Sequence, residues 1–323
     1  MSPPTTTTTS SSFALFFLLL CLPSLSQATP PPSIANAKRA PSPYRPWRPT
    51  RPSPRSEPSL GYFAPAAAGG SMLTEAPNTG DPPLGEPLNI IVAGTSDSAV
   101  LVDSQQNGGF RNYMLSIGFS AECLGQHEGA PQTANLGDGN GYQNETNELR
   151  WDYGDPQIGT CKETIQGGNH FRYWVQNGAS GNSSAIFMAT SYELPIAQAH
   201  NIISNGYNLG RDWLVGNITG NFVNTSAVTN QTTFSGTTSF GNYTYQTAIA
   251  YVGGLLQDNG NGVNHASDVG VNGGSPLDGL VAVLEVKITS RPPSSPSRAG
   301  SRFSSLMPVP TALLLVLGAL CAL

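Results

Sequence analysis

An apolar run near each end of this chain confines folding to its middle. Residues 13–22 form ten apolar or near-apolar positions, about half of the ~20 that a bilayer-spanning helix needs. Ser26-Gln27-Ala28 follows, with small residues at the two positions a signal peptidase reads. The pattern predicts a signal peptide over residues 1–28, although no Lys or Arg precedes the apolar run. At the other end, Ala299-Gly300-Ser301 is followed by the short polar stretch 302–305 and the apolar stretch 306–323. Small site, spacer and hydrophobic tail form the order of a GPI-attachment signal. Pro308 and Pro310 count against a tail-anchored helix. The expectation is attachment at Ala299 or Ser297, with residues 300–323 removed.

An oxidising compartment then sets the cysteine chemistry. Cys21 would leave with the signal and Cys321 with the tail, so Cys123 and Cys161 remain. They are expected to bond to each other, closing a loop of about 40 residues worth about 3 to 4 kcal/mol. No Cys-x-x-Cys spacing supports a metal or redox role. Six Asn-x-Ser/Thr sequons, at Asn144, Asn182, Asn217, Asn224, Asn230 and Asn242, predict a glycoprotein whose 217–244 segment is mostly exposed.

Residues 29–86 are dense in Pro, Ser and Ala, with Arg45, Arg48, Arg51 and Arg55 spread among them. This composition predicts an extended or disordered linker or propeptide, with Lys38-Arg39 as a dibasic pair open to trimming. A second Ser/Pro stalk covers 291–299, which leaves one globular domain over 87–290. That stretch carries six Lys/Arg against sixteen Asp/Glu, a balance that argues against nucleic acid as a partner.

Within it, 88–92 reads as a buried strand closed by Ala93-Gly94. Phe110, Tyr113, Met114 and Ile117 have the i, i+3, i+4, i+7 spacing of a helix over 110–119. Residues 171–175 and 185–192 read as strands, 206–215 as a helix with Asn205 or Asn208 as cap, and 243–256 and 280–288 as strands. The last alternates Val281, Val283, Glu285 and Lys287 against Ala282, Leu284, Val286 and Ile288. With no regular strand-helix repeat, the expected fold is α+β: a single mixed or antiparallel sheet with a few short helices.

No Gly-x-Ser-x-Gly, His-Glu-x-x-His, phosphate-binding loop or dinucleotide fingerprint occurs. The Gly/Asn-rich stretches around Asp138, Asp258 and Asp268, the last near His265, lack EF-hand spacing and read as turn formers. What stands out in a chain only 11% charged is a polar set: His170, Arg172, His200, Arg211 and Asp212. Residues two apart on a strand share a face, so His170 and Arg172 project together. An imidazole beside a guanidinium suits a phosphate or carboxylate, the Arg clamping it and the His moving a proton. The alternative is structural: Arg172 pairs with Asp212 to tie strand to helix. No cofactor or metal is called for.

Pro87-Leu88-Asn89-Ile90-Ile91-Val92-Ala93-Gly94, His170-Phe171-Arg172-Tyr173-Trp174, and Ala199-His200 leading to Asn208-Leu209-Gly210-Arg211-Asp212-Trp213 resemble the LssY C-terminal domain family. The whole chain also resembles uncharacterised secreted proteins of basidiomycete fungi. The family resemblance implies a domain found near membrane phosphatases in bacteria and raises His170, Arg172, His200, Arg211 and Asp212 as shared site residues. The family's first His, first Asp and Glu are Ala199, Asn208 and Gly210 here, so a mechanism that used them is lost.

Two expectations follow. One is a GPI-anchored surface glycoprotein with a structural or ligand-binding body, its partners the membrane through the lipid and a cell-wall or small anionic ligand. The other is a hydrolase acting on an anionic ligand through the His/Arg set.

Overall fold

The computed structural model describes residues 60–293 apart from Glu128. The expected signal peptide, Lys38-Arg39, the first part of the linker, both candidate attachment residues and the apolar tail lie outside the described residues. In chain order the elements are β1 (Leu88–Val92), α1 (Phe110–Leu115), β2 (Phe119–Ala121), β3 (Thr133–Asn135), β4 (Tyr142–Asn144), β5 (Asn147–Trp151), α2 (Gly159–Gln166), β6 (Gly168–Val175) and β7 (Ile186–Glu193). They continue with α3 (Gly206–Thr219), β8 (Thr233–Phe240), β9 (Tyr243–Gly253), α4 (Ala266–Val269) and β10 (Leu280–Ser290).

Eight strands form one sheet in the order β2-β5-β6-β7-β1-β10-β9-β8, and β3 and β4 form a separate hairpin. The β1–β10 pair is parallel and the other neighbours are antiparallel. The fold is therefore α+β with a mixed sheet. Strand β1 lies mid-sheet because its five residues are buried on both faces, which is what a continuous apolar run allows. Its one polar residue, Asn89, sits where the β1–β7 register slips. There it accepts from Thr190 N and donates to the carbonyls of Thr190 and Tyr207, so the bulge is closed by its own side chain.

The sheet separates two apolar layers. On one face, α1 and α3 cover Ile90, Phe171, Tyr173, Met188, Leu284 and Val286 with Tyr113, Met114, Leu214 and Ile218. Gly210 lets α3 close on β7, since a Cβ there would lie 2.7 Å from Ser191 backbone. On the other face, Tyr62, Met72, Ala134 and Leu136 cover Ile91, Trp174, Phe187 and Val281. The two faces of β10 are those its alternation predicts.

Three expectations are corrected. The folded body begins by Leu60 rather than at Pro87: Tyr62, Phe63, Met72 and Glu86 are buried against the sheet, because isolated apolar residues among Pro and Gly can cover a sheet without any periodicity of their own. The helix expected over 110–119 stops at Leu115. Gly118, at φ 83°, turns the chain into β2, where a side chain would collide with the Trp151 ring. The third concerns Arg172 and is taken up below.

Cys123 and Cys161 are bonded. The bridge ties the turn after β2 to α2, and so fixes the two neighbouring acids, Glu122 and Glu163, relative to each other.

Candidate functional site

Strand β6 sends Phe171 and Tyr173 into the α3-side core and His170, Arg172 and Trp174 to the opposite face. Register then decides their company. Glu148 of β5 pairs with Arg172, Arg150 with His170, and Glu193 of β7 with Gly168. Glu122 comes from the end of β2, Glu145 from the link between β4 and β5, Glu163 from α2, and Glu86 from the chain entering β1.

These side chains build one buried charge network. Arg150 reaches Glu148 at 2.6 Å, Glu163 at 3.0 Å and Glu193 at 3.1 Å. Arg172 reaches Glu148 at 2.6 Å and Glu145 at 3.2 Å, and donates to His170 Nε2 at 3.3 Å. His170 Nδ1 and His200 Nδ1 lie 3.5 and 3.3 Å from Glu193 Oε2. Ala199 and His200 both take left-handed φ, 59° and 52°, which turns His200 back over Glu193 at a backbone cost of about 1 kcal/mol or more each. At the outer edge, His127 bridges Glu122 at 2.7 Å and Glu145 at 3.4 Å.

Arginine only donates, so His170 Nε2 must accept from Arg172 and Nδ1 must carry the ring's proton toward Glu193. Burial pushes His170 down to about 3, leaving the ring neutral at pH 7. Six glutamates face two arginines, and burying that excess of negative charge is prohibitive unless some acids keep their protons. Burial raises Glu148 to about 8 and Glu163 to about 7, against the lowering pull of Arg172 and Arg150 on the first and of Arg150 on the second. Burial raises Glu86 and Glu145 too. Glu163 Oε1 is buried with no hydrogen-bond partner, tolerable for a neutral carboxyl and costly for a carboxylate. Glu193 goes the other way: burial would raise it, but the groups facing it hold it down. That lowering stands on Arg150, Arg172 and the His200 contact rather than on His170, whose ring is neutral at the same pH. The result is protonated acids beside a carboxylate, the pairing that general acid–base chemistry uses.

Access is another matter. Glu148, Glu163 and His170 have fully buried side chains, while His200 keeps 16% of its side chain exposed. A cleft of about 460 Å³ is lined by Glu122, His127 and Glu145 at the network's edge, not by those inner groups.

Two trios place ligand atoms close enough for a metal: Glu163, His170 and Glu193, and Glu122, His127 and Glu148. Neither suits a cation. In the first, His170 presents N–H and Arg150 Nη1 already rests on both carboxylates. In the second, both oxygens of Glu148 are held by arginines.

Arg211 and Asp212 are elsewhere. They sit on α3, across the sheet, where Arg211 pairs with Asp212 at 2.7 Å and with Asp278 at 2.7 Å and donates to the Leu280 carbonyl. Tyr251 donates to Asp212 at 2.6 Å. This closed set pins α3 to β9 and to the start of β10. The expected Arg172–Asp212 pair is therefore wrong: each charge has a partner on its own side of the sheet. Of the five sequence-predicted site residues, the fold gathers His170, Arg172 and His200 and separates Arg211 and Asp212. Sequence reasoning missed Glu122, Glu145, Glu148, Arg150, Glu163 and Glu193. The alternation in Asn147-Glu148-Leu149-Arg150-Trp151, charges on one face and apolar residues on the other, was the signal available for β5.

Gly210 abuts the Ser191 backbone, which leaves no room for a larger side chain there. Comparison with protein-family models, with curated proteins and with solved structures finds no match to this chain.

Proposed function

We propose that the chain is a secreted N-glycoprotein held at the cell surface by a GPI lipid, whose body does structural or ligand-binding work and is not a hydrolase of an anionic ligand. The observation that carries this reading is the state of Arg172. Its guanidinium is taken up by the buried Glu145 and Glu148, so no free clamp is open to an incoming phosphate or carboxylate. Five of the six sequon asparagines are exposed, in keeping with a glycosylated surface, and Asn217 Nδ2 alone among them donates to a backbone carbonyl, that of Ile117. Among the described residues no helix is long and apolar enough to cross a membrane; the lipid attachment rests on the small-site, spacer and apolar-tail order of residues 299–323. Membership of the LssY C-terminal-like family belongs to the same proposal and rests on His170, Arg172 and His200 lying together.

Phosphatidylinositol-specific phospholipase C should release the protein from intact cells. Retention under a digestion that frees a known GPI-anchored protein would refute the anchor. A thermal-shift screen of phosphorylated and carboxylated small molecules should show no stabilisation. A shift that disappears in Arg172→Ala and His170→Ala would instead establish an anion site.

One observation favours the hydrolase as a second reading: Glu163, whose carboxyl burial raises to about 7, and Glu193, which is held down, lie beside the same guanidinium nitrogen. It requires the network to open at His200, and Glu193→Gln should then abolish any turnover found.

A further inference from the structure

Among the described residues only two aromatic side chains are exposed, Phe222 at 90% and Tyr142 at 49%. Each stands two positions before a sequon asparagine, Phe222 before Asn224 and Tyr142 before Asn144. In both places the intervening chain is extended. Tyr142 and Asn144 are the ends of β4 and both face solvent. Phe222, Val223 and Asn224 run exposed, buried, exposed, with Asn224 at φ -79° and ψ 99°. Residues two apart on extended backbone project to the same side about 6.6 Å apart, a separation one sugar ring covers.

The asparagines are posed for this. Asn224 Oδ1 accepts from Ser226 N, which orients the amide. The β3–β4 pairing sets Tyr142 opposite Asn135, which fixes its place on the strand while its side chain stays exposed. At the other sequons, Ser180, Val215 and Val228 precede Asn182, Asn217 and Asn230; Phe240 precedes Asn242 but is half-buried, and Gly241 and Asn242, at φ 57° and 65°, turn the chain so that ring and asparagine do not share a side. Large exposed aromatic faces are what a folded surface covers when it can.

We propose that Phe222 and Tyr142 are stacking platforms for the first N-acetylglucosamine on Asn224 and Asn144, the C–H face of the sugar taking the place of water on the ring. The inference rests on the glycoprotein reading above and deepens it by naming what covers the two rings. Stabilisation comes from removing apolar ring surface from water, and one sugar residue supplies all of it.

The test uses the full chain secreted from a host that makes high-mannose glycans, with occupancy at each site read by peptide mass spectrometry. Trimming with endoglycosidase H to a single N-acetylglucosamine should leave Tm unchanged. Asn224→Gln and Asn144→Gln should each lower Tm by about 2 to 4 °C, while Asn230→Gln should not move it. Phe222→Ala should match the fall of Asn224→Gln, and adding it to Asn224→Gln should cause no further loss. Occupied sites with additive Phe222 and Asn224 effects would overturn the stacking and leave the glycoprotein reading intact. Unoccupied Asn144 and Asn224 would overturn the stacking, and glycan at none of the six sequons would overturn the glycoprotein reading as well.

Discussion

Arg150→Met should cost about 3 to 5 kcal/mol of folding stability, the range for stripping one partner from a buried ionic cluster. Nη2 of Arg150 serves Glu148 and Nη1 serves both Glu163 and Glu193, so its loss leaves three buried acids facing one another. For a domain of this size that is a fall in Tm of about 10 °C or more. Chemical denaturation of the variant measures it. Adding Glu163→Gln should recover part of the loss, because an amide spares the chain the cost of holding Glu163 protonated at neutral pH once Arg150 no longer lowers it, and the two substitutions should be non-additive. Arg111, paired with Asp103 on a partly exposed surface, is the control: Arg111→Met should cost no more than about 1 kcal/mol. Equal effects at the two arginines would mean that the buried network contributes little beyond packing.

The network's parts differ in how far the sequence announces them. Strands β1, β6, β7 and β10 and helix α3 carry local signatures, namely apolar runs, alternation or a 3.6-residue period, and burial follows those signatures closely. His170 and Arg172 share a face for the same local reason. Their partners come from strand order, which is non-local: nothing in 170–172 says that β5 lies alongside in the register that sets Glu148 against Arg172. Strand β5 is five residues long and half charged, and α2 carries Glu163 inward on a helix of mostly polar residues, so neither looks like a core element. Strand β8 is an edge strand whose positions alternate between exposed and half-buried, which disguises it as the glycosylated loop that the flanking sequons at Asn230 and Asn242 suggest. Assigning Arg172 to Asp212 was the natural local choice for two charges in adjacent elements. The sheet itself stands between them.

Stability should fall on the alkaline side of neutrality, by on the order of 3 kcal/mol between pH 6.5 and 9. Glu148 and Glu163 have folded values of about 8 and about 7 against ordinary values of 4.5, so over that interval the folded chain holds protons that the unfolded chain has given up. Their contribution is complete below about 4.5 and is lost as pH rises through 7 and 8. His170 acts in the opposite direction and in another window. Its folded value of about 3 lies below its ordinary 6.5, so the unfolded chain binds the extra proton and stability falls as pH drops from 6.5 toward 3. Glu193, lowered in the folded state, adds to that acid loss below its ordinary value of 4.5. Between 4.5 and 6.5 the two glutamates outweigh the opposing His170, so stability already falls slowly with rising pH there and the maximum lies near 4.5. Denaturant melts across pH 3 to 9 read the whole curve. Glu148→Gln should remove most of the alkaline limb, because an amide keeps the shape of the protonated acid and has no proton to lose. Glu163→Gln should remove a smaller part, since its folded value lies closer to its ordinary one. A wild type that is flat from 6.5 to 9 would mean that both acids are ionised in the folded protein, and that Arg150 and Arg172 balance the cluster without them.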